Sequence, residues 1–314
     1  MNEHTDEERS LFTPSKFWKT LGDRHDDLLN RYGIEHFKRY QALRYFTWQW
    51  RWRAMPKSDQ ARFLLLHSRP ASLLRSAIDR SDLSDVAWTG VPWPRSDRWL
   101  YVFASRLIWE YARRHGTRAV LDLEEPLLGD PLPVRFGGRL VSQDLANCAL
   151  ETAAILRGQA GRTPTSVVEV GAGYGRTAYT LLSLFPNMEY TVIDIDPAIR
   201  ISEHYLTQLF PGRNLRFLTP DRVDEIDNNS ISLAVSISSL QEMRREQVLE
   251  YLTVFDRILD ANGTIYLKQW AEWFNPEDHV TMRFVDYPVP AHWTLVFRED
   301  CPVQTRFQQA VWQR

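Results

Sequence analysis

The 314-residue chain carries 38 lysines and arginines against 40 aspartates and glutamates, a formal net charge of −2. That balance leaves no electrostatic excess to hold a phosphate backbone, so nucleic acid is excluded as the expected partner. With 44% hydrophobic and 25% charged residues the composition is that of a folded globular protein, long enough for two packed domains.

Only Cys148 and Cys301 are present, without another cysteine or histidine at metal-ligand spacing. This argues against a disulfide framework or a structural zinc and fits a reducing cytoplasm. The first thirty residues lack the basic-then-apolar order of a signal peptide, and no apolar run approaches the roughly 18 residues that span a bilayer. Neither export nor a membrane is expected.

Residues 1–125 read as an all-helical N-terminal domain. FKRYQALRYFTWQWRW sets Phe37, Tyr40, Arg44/Tyr45, Trp48 and Trp52 along one side at three- and four-residue steps. Pro56, Pro70, Pro92 and Pro94 punctuate this region, and RWLYVFASRLIWEYARRHG predicts a long helix stopped by Gly116. The basic spots Arg51–Lys57 and Arg244/Arg245 read as solvated helix faces. The twelve tryptophans read mostly as core.

Residues 126–163 are expected to connect two domains. EEPLLGDPLPVRFGG is rich in proline and glycine and suits an irregular crossing. Ser142 can then cap a helix that runs to Gly158, with Leu145, Ala149, Thr152/Ala153 and Leu156 on its buried side.

From 164 to 314 strand and helix patterns alternate: SVVEVGAG then RTAYTLLSLF; EYTVIDID then PAIRISEHYLTQLF; NLRFLT; ISLAVSIS then VLEYLTVFDRIL; then GTIYLKQW. Unbroken β-branched runs separated by amphipathic helices predict an α/β domain whose parallel sheet is covered on both faces. HWTLVFRE and TRFQQAVWQ have no helix between them and predict a terminal β-hairpin. A Rossmann-like sheet ending in such a hairpin has the class I methyltransferase topology.

Glu169-Val170-Gly171-Ala172-Gly173-Tyr174-Gly175 follows the first of these strands directly and precedes a helix. Glycines let the backbone approach a ligand, and N–H groups at a helix N-terminus attract an anionic group such as an amino acid carboxylate. The second strand ends at Asp194, followed by Ile195, where a carboxylate can accept hydrogen bonds from both hydroxyls of a ribose. A dinucleotide fingerprint wants a third glycine at Arg176, where this chain has its last loop glycine at Gly175. Glu169, placed to hold the loop or an ammonium group, favours S-adenosylmethionine. A nicotinamide dinucleotide stays open as the rival.

The third strand leads to Pro220 and Asp221, which either edge an adenine or cap a helix. The stretch Ser236-Ile237-Ser238-Ser239-Leu240-Gln241-Glu242-Met243 falls at the carboxyl edge of the sheet, where open α/β folds bind ligands. It is expected to floor the reaction site, with Ser236 and Ser238 toward the cofactor and Gln241 toward the acceptor.

These segments together resemble the sugar O-methyltransferase family of bacterial enzymes. The resemblance rests on FWK and GIEHFKRY, EEPLLGDP, VSQDLANCALE, VVEVGAGYG, SISSLQEM and YLKQW, and runs through most of the chain. The chain departs from the family at IDIDP, where a leucine often separates acid and proline, which leaves the role of Asp196 undefined. The resemblance implies methyl transfer from S-adenosylmethionine to a hydroxyl of a sugar or glycoside. An alcohol must lose its proton as it attacks, so a positioned base is expected. Glu242 is the first candidate, and His279 and His292 are the others. Lys268, Gln269 and Trp270 at the end of the fifth strand, with Gln143 and Asp144 on the connecting helix, are candidates for binding the acceptor or covering the cofactor. Glu242 with Asp221 or Asp144 could chelate a cation, but no spacing motif points there, and metal-independent chemistry is expected. Other acceptors, small-molecule O- or N-methylation, and a non-catalytic cofactor-binding module remain open readings. The helical domain is expected either to shape the acceptor pocket or to make a homodimer contact, and the sequence does not choose between them.

Overall fold

The structure is a computed structural model that describes residues 16–40, 47, 52–67, 80–275 and 279–314, so Arg44, Tyr45, Trp48 and Pro70 of the sequence patterns lie outside the described residues. The chain divides into two compact units, one of His25–Ala154 and one of Ile155–Arg314 with the chain up to Arg24.

In the first unit the helices are α1 (Lys16–Tyr32, whose start belongs to the other unit), α2 (Lys57–His67), α3 (Arg95–His115), α4 (Arg118–Leu121) and the start of α5 (Gln143–Gly158). A short hairpin pairs β1 (Arg135–Phe136) with β2 (Arg139–Leu140). The long helix α3 buries Tyr101, Leu107, Ile108 and Trp109 and ends where the Gly116 N–H reaches the Ala112 carbonyl. Trp88 and Trp93 pack on Tyr101 with ring centroids 6.1 and 5.2 Å away, so these tryptophans are core.

One sequence expectation needs correction here. At the start of the predicted helical stripe, Phe37–Tyr40 follows a 3-10 turn (Ile34–His36) and is not helical; 41–46 and 48–51 of the stripe lie outside the described residues. Gly33, at a φ of 85°, starts that turn. Lys38 and Arg39 then reach the proline-rich segment: Lys38 Nζ donates to Glu125 Oε1 at 2.8 Å and Arg39 Nη2 to Asp130 Oδ1 at 2.6 Å. The other Glu125 oxygen accepts from Ser142 Oγ, which also accepts from the Leu145 N–H at 3.0 Å and so caps α5. The segment read as an irregular crossing is therefore pinned by a buried pair, Lys38–Glu125, and a partly exposed one, Arg39–Asp130. Removing one partner of the buried pair strands the other in the interior.

The second unit is built on a seven-stranded sheet of order β10-β11-β7-β6-β3-β4-β5. Its strands are β3 (Ser166–Val170), β4 (Glu189–Ile193), β5 (Leu215–Leu218), β6 (Ile231–Ile237), β7 (Leu259–Trp270), β10 (Thr294–Asp300) and β11 (Phe307–Gln313). Strands β5, β4, β3, β6 and β7 run parallel, and β11 and β10 close the edge antiparallel. A separate hairpin, β8 (Glu272–Asn275) with β9 (Val280–Arg283), follows β7. The parallel strands are connected through helices α6 (Arg176–Leu184), α7 (Ala198–Leu209) and α8 (Arg245–Ile258). This order, with β11 alone reversed between β7 and β10, is the class I methyltransferase fold.

The pleat sorts the strand residues. Val168, Val170, Ala234, Ile265, Leu267, Ala310 and Trp312 share one buried cluster with Val248, Leu252 and Phe255 of α8. Alternate residues face the other side, where Gly158 of α5 admits Val311: a Cβ on that glycine would stand 2.6 Å from a Val311 methyl. Strand order reverses beside β3, so the loops after β3 and β6 leave a crevice at the carboxyl edge.

Candidate functional site

The glycine turn is a consequence of backbone geometry. Gly171, Gly173 and Gly175 have φ of 78°, 60° and 90°, a region that side chains disfavour. Gly175 is the N-cap of α6 and supplies no side-chain cap, so the helix start presents its backbone donors and its dipole to the crevice. Ala172 and Tyr174 are buried, and the Tyr174 ring packs edge-on against Tyr205 of α7 at 5.2 Å. They anchor the turn from beneath.

Asp194 follows β4 and joins the two loops. Its Oδ2 accepts from the Gly173 N–H at 2.9 Å and its Oδ1 from the Ile195 N–H at 2.8 Å. Burial raises its pKa to about 7; the two N–H bonds oppose that rise and the Glu169 charge adds to it. Glu169 itself is buried on β3 and accepts from the Tyr190 hydroxyl of β4 at 2.8 Å. The structure thus ties Glu169 to the neighbouring strand.

The loop after β6 forms the opposite wall. Ser236 is buried, Ser238 has a φ of 59°, and Leu240–Glu242 is a 3-10 turn. The Glu242 carboxylate is half-buried, and among the described residues no donor hydrogen-bonds to it. Burial first, and the Asp194 charge second, push its pKa to about 8. Two carboxylates therefore share one crevice. Tyr251 and Tyr287, which sequence patterns did not single out, also belong here: burial first raises both hydroxyls, with Asp194 adding to Tyr251 and Glu242 to Tyr287. Tyr287 lies in an irregular stretch without periodicity, and Tyr251 reads as one more apolar position of α8.

Other candidates are placed differently. Gln269, expected at the acceptor, is fully buried: its Oε1 accepts from the Ser239 and Gln241 N–H groups at 3.2 and 3.3 Å. The Gln241 side chain likewise accepts from the Trp270 N–H at 2.6 Å and donates to Ser238 Oγ at 3.3 Å. Both glutamines are engaged in holding the loop. Lys268 is buried on the sheet face opposite Leu267, with Nζ 5.7 Å from the centre of the Phe307 ring. Trp270 is half-buried and meets Trp273 edge-on at 4.6 Å.

His292 is not brought to the crevice. Its Nε2 lies 2.8 Å from Asp256 Oδ1, and Asp256 also faces Arg314, whose backbone bonds Gly263 before the central part of β7, at the amino edge of the sheet. His279 is exposed in the turn of the β8–β9 hairpin, beside Phe274, with a φ of 54°. Pro220 is buried and Asp221 exposed at the start of a 3-10 turn directly after β5, next to the Asp194 loop, whose N–H bonds Leu218 at 3.3 Å. Gln143 and Asp144 are buried in the first turn of α5 within the other unit, where Gln143 Nε2 donates to Ser105 Oγ at 3.1 Å. Among the described residues no group of three or more His, Cys, Asp or Glu is placed to hold a metal ion, and no helix is long and apolar enough to cross a membrane.

The two walls touch at Gly171. A Cβ there would stand 2.2 Å from Ser239 Oγ and 2.3 Å from its Cβ, on a backbone already in the left-handed region. G171A is expected to lower stability by about 2 kcal/mol or more, the sum of backbone strain and a displaced wall. Urea or thermal melting checks this, and an unchanged midpoint would show that the walls are not in contact.

No protein-family model matches the chain, and no curated protein matches it. Solved structures do. The 1,6-didemethyltoxoflavin-N1-methyltransferase of Burkholderia thailandensis, with bound 1,6-didemethyltoxoflavin and S-adenosylhomocysteine, is 20% identical over 51% of this chain and 75% of its own, with a TM-score of 0.41. TrmN of Thermus thermophilus is 16% identical over 53% of this chain and 48% of its own, with a TM-score of 0.42. Phosphoethanolamine N-methyltransferase 1 of Haemonchus contortus, in complex with phosphoethanolamine and S-adenosylhomocysteine, is 16% identical over 52% of this chain and 43% of its own, at a TM-score of 0.37. The strand order, and not these likenesses, defines the fold.

Proposed function

We propose that the chain is an S-adenosylmethionine-dependent methyltransferase whose acceptor is a hydroxyl of a small molecule, a sugar or glycoside. The observation that carries this reading is the Gly171–Gly175 turn bonded to Asp194 across adjacent parallel strands, with the Glu242 carboxylate facing the same crevice. The donor set fits the cofactor. Asp194 keeps lone pairs beyond its two N–H partners to accept from ribose hydroxyls, the N-terminus of α6 suits a carboxylate, and Pro220 and Asp221 border the loop where an adenine edge would lie.

When bound, S-adenosylmethionine supplies a methyl group activated by its sulfonium charge. The chain's own part is to orient, to keep water out and to take a proton. Among the described residues no donor satisfies Glu242, so an acceptor hydroxyl can donate to it, and a carboxylate with a pKa near 8 is a fitting proton acceptor near neutral pH. A sugar hydroxyl, being a weak acid, needs such a base. The resemblance to sugar O-methyltransferases points to the same acceptor class.

Calorimetry tests the reading. S-adenosylhomocysteine is expected to bind once per chain with micromolar affinity or better, about −8 kcal/mol, and NAD to give no heat. NAD binding without a response to S-adenosylhomocysteine would overturn it. Turnover against sugars and phenols then separates acceptor classes.

A further inference from the structure

The turn that carries Glu242 is held from the end of β7 by a fully buried amide. Gln269 Oε1 accepts from the Ser239 and Gln241 N–H groups at 3.2 and 3.3 Å, and its Nε2 donates to the Ser236 carbonyl at 3.0 Å and to Ser236 Oγ at 3.2 Å. Two acceptor positions and two donor hydrogens are the full capacity of a glutamine amide, and here all four are used. Around it the Ser238 N–H bonds the Lys268 carbonyl at 2.8 Å and the Trp270 N–H bonds Gln241 Oε1 at 2.6 Å. Successive residues of the β7 tail thus each hold part of the turn.

The turn is not self-supporting. Ser238 sits in the left-handed region at a φ of 59°, which costs a non-glycine residue about 1 kcal/mol or more. Glu242 is anchored through its backbone, its N–H bonding the Ser239 carbonyl at 3.0 Å, and among the described residues no hydrogen-bond donor reaches its side chain. Where the carboxylate points therefore follows from where the turn lies. The same turn presses Ser239 into the space that Gly171 leaves by lacking a Cβ. A shift of the turn moves both the carboxylate and the cofactor's wall.

We propose that Gln269 is a positioning residue: it locks the Ser238–Glu242 turn against the glycine turn, and so fixes where the Glu242 carboxylate stands in the crevice. The role assigned rests on the reading of Glu242 as the acceptor's base. An apolar residue of similar size would leave the Ser239 and Gln241 N–H groups without the acceptor they share, and the turn would open to find water.

The test uses the full chain with Q269L and the milder S236A, which removes one of the two acceptors for Nε2. Four readouts are taken: thermal melting, calorimetry with S-adenosylhomocysteine, kcat and KM for the acceptor, and the Glu242 titration by NMR of carbon-labelled glutamate without cofactor. For folded Q269L the Glu242 titration is expected to fall from near 8 toward the ordinary carboxylate range. Its kcat is expected to fall about a hundredfold, the effect of a misplaced reacting group, and S-adenosylhomocysteine affinity to fall with it, because the same turn walls the cofactor. S236A is expected to show part of both effects. A Glu242 titration that stays put in folded Q269L, or a kcat loss no larger than the loss of folded protein, would overturn the proposal. Should Q269L not fold, S236A decides by the same titration. Should the wild type fail to bind S-adenosylhomocysteine, the functional reading falls, while the titration still reports on the brace.

Discussion

Replacing Glu242 by glutamine is expected to lower kcat about a thousandfold, in the range that a general base contributes, while S-adenosylhomocysteine affinity changes less than about threefold. The side chain keeps its shape and loses only its ability to take a proton. The pH profile gives the sharper signature. With a free-protein pKa near 8, wild-type kcat/KM at limiting cofactor should rise with pH up to that value, and E242Q should lose that limb. Stability should move the opposite way. The folded-state pKa of Glu242 lies above the unfolded value, so between the two the folded protein holds a proton that the unfolded chain has released. Stability therefore falls as pH rises through this window, from about 4.5 to about 8. Glutamine removes the penalty. E242Q should match wild type near pH 4 and be the more stable of the two at pH 9. Equal melting at pH 9, or unchanged turnover, would remove Glu242 as a buried base.

The sheet was legible because each parallel strand is a β-branched run short enough to be a strand and bounded by a turn: SVVEV before the glycines, YTVI before Asp194, ISLAVSI before the serines. The terminal hairpin is legible in the absence of a helix between two strand patterns; the direct bond from the Gly173 N–H to Asp194 is not, since sequence spacing offers that carboxylate only as a ligand acceptor. The wall of the site was harder. In sequence Lys268, Gln269 and Trp270 read as one surface, yet consecutive strand residues face opposite sides: Gln269 turns in to the β6 loop, and Lys268 lies on the other face near Phe307. His292 reads as a base candidate because it follows the fifth strand. The hairpin runs antiparallel, with Thr294 opposite Gln313 and Gln313 opposite Thr264, which sets the chain just before β10 at the amino edge. Sequence order cannot supply that return path. The start of the stripe, Phe37–Tyr40, departs from a helix for a related reason: apolar spacing alone does not register that Lys38 and Arg39 pair with Glu125 and Asp130, about ninety residues on.

Alanine or asparagine at Asp194 is expected to weaken S-adenosylhomocysteine binding about a hundredfold, or about 2.7 kcal/mol, as befits the loss of a charged acceptor for two hydroxyls. The effect has two sources that the variants separate. D194N keeps one oxygen but sets an amide NH2 against either the Gly173 or the Ile195 N–H, so it disturbs the loop as well as the ligand; D194A leaves both N–H groups to water or to each other's loop. pH adds an independent check. Asp194 is a hydroxyl acceptor for both ribose oxygens only when ionised, and burial holds its free-protein pKa near 7. Wild-type affinity should be full above pH 8 and fall by up to tenfold per unit below about pH 7, since binding must then expel a proton. Both variants should be flat over the same range, because the group that titrates is gone. Calorimetry in two buffers of different ionisation enthalpy would show the proton release directly, positive for wild type at pH 6 and absent for D194A. A variant affinity within about threefold of wild type, with the same pH dependence, would place the nucleoside away from this carboxylate and take the cofactor assignment with it.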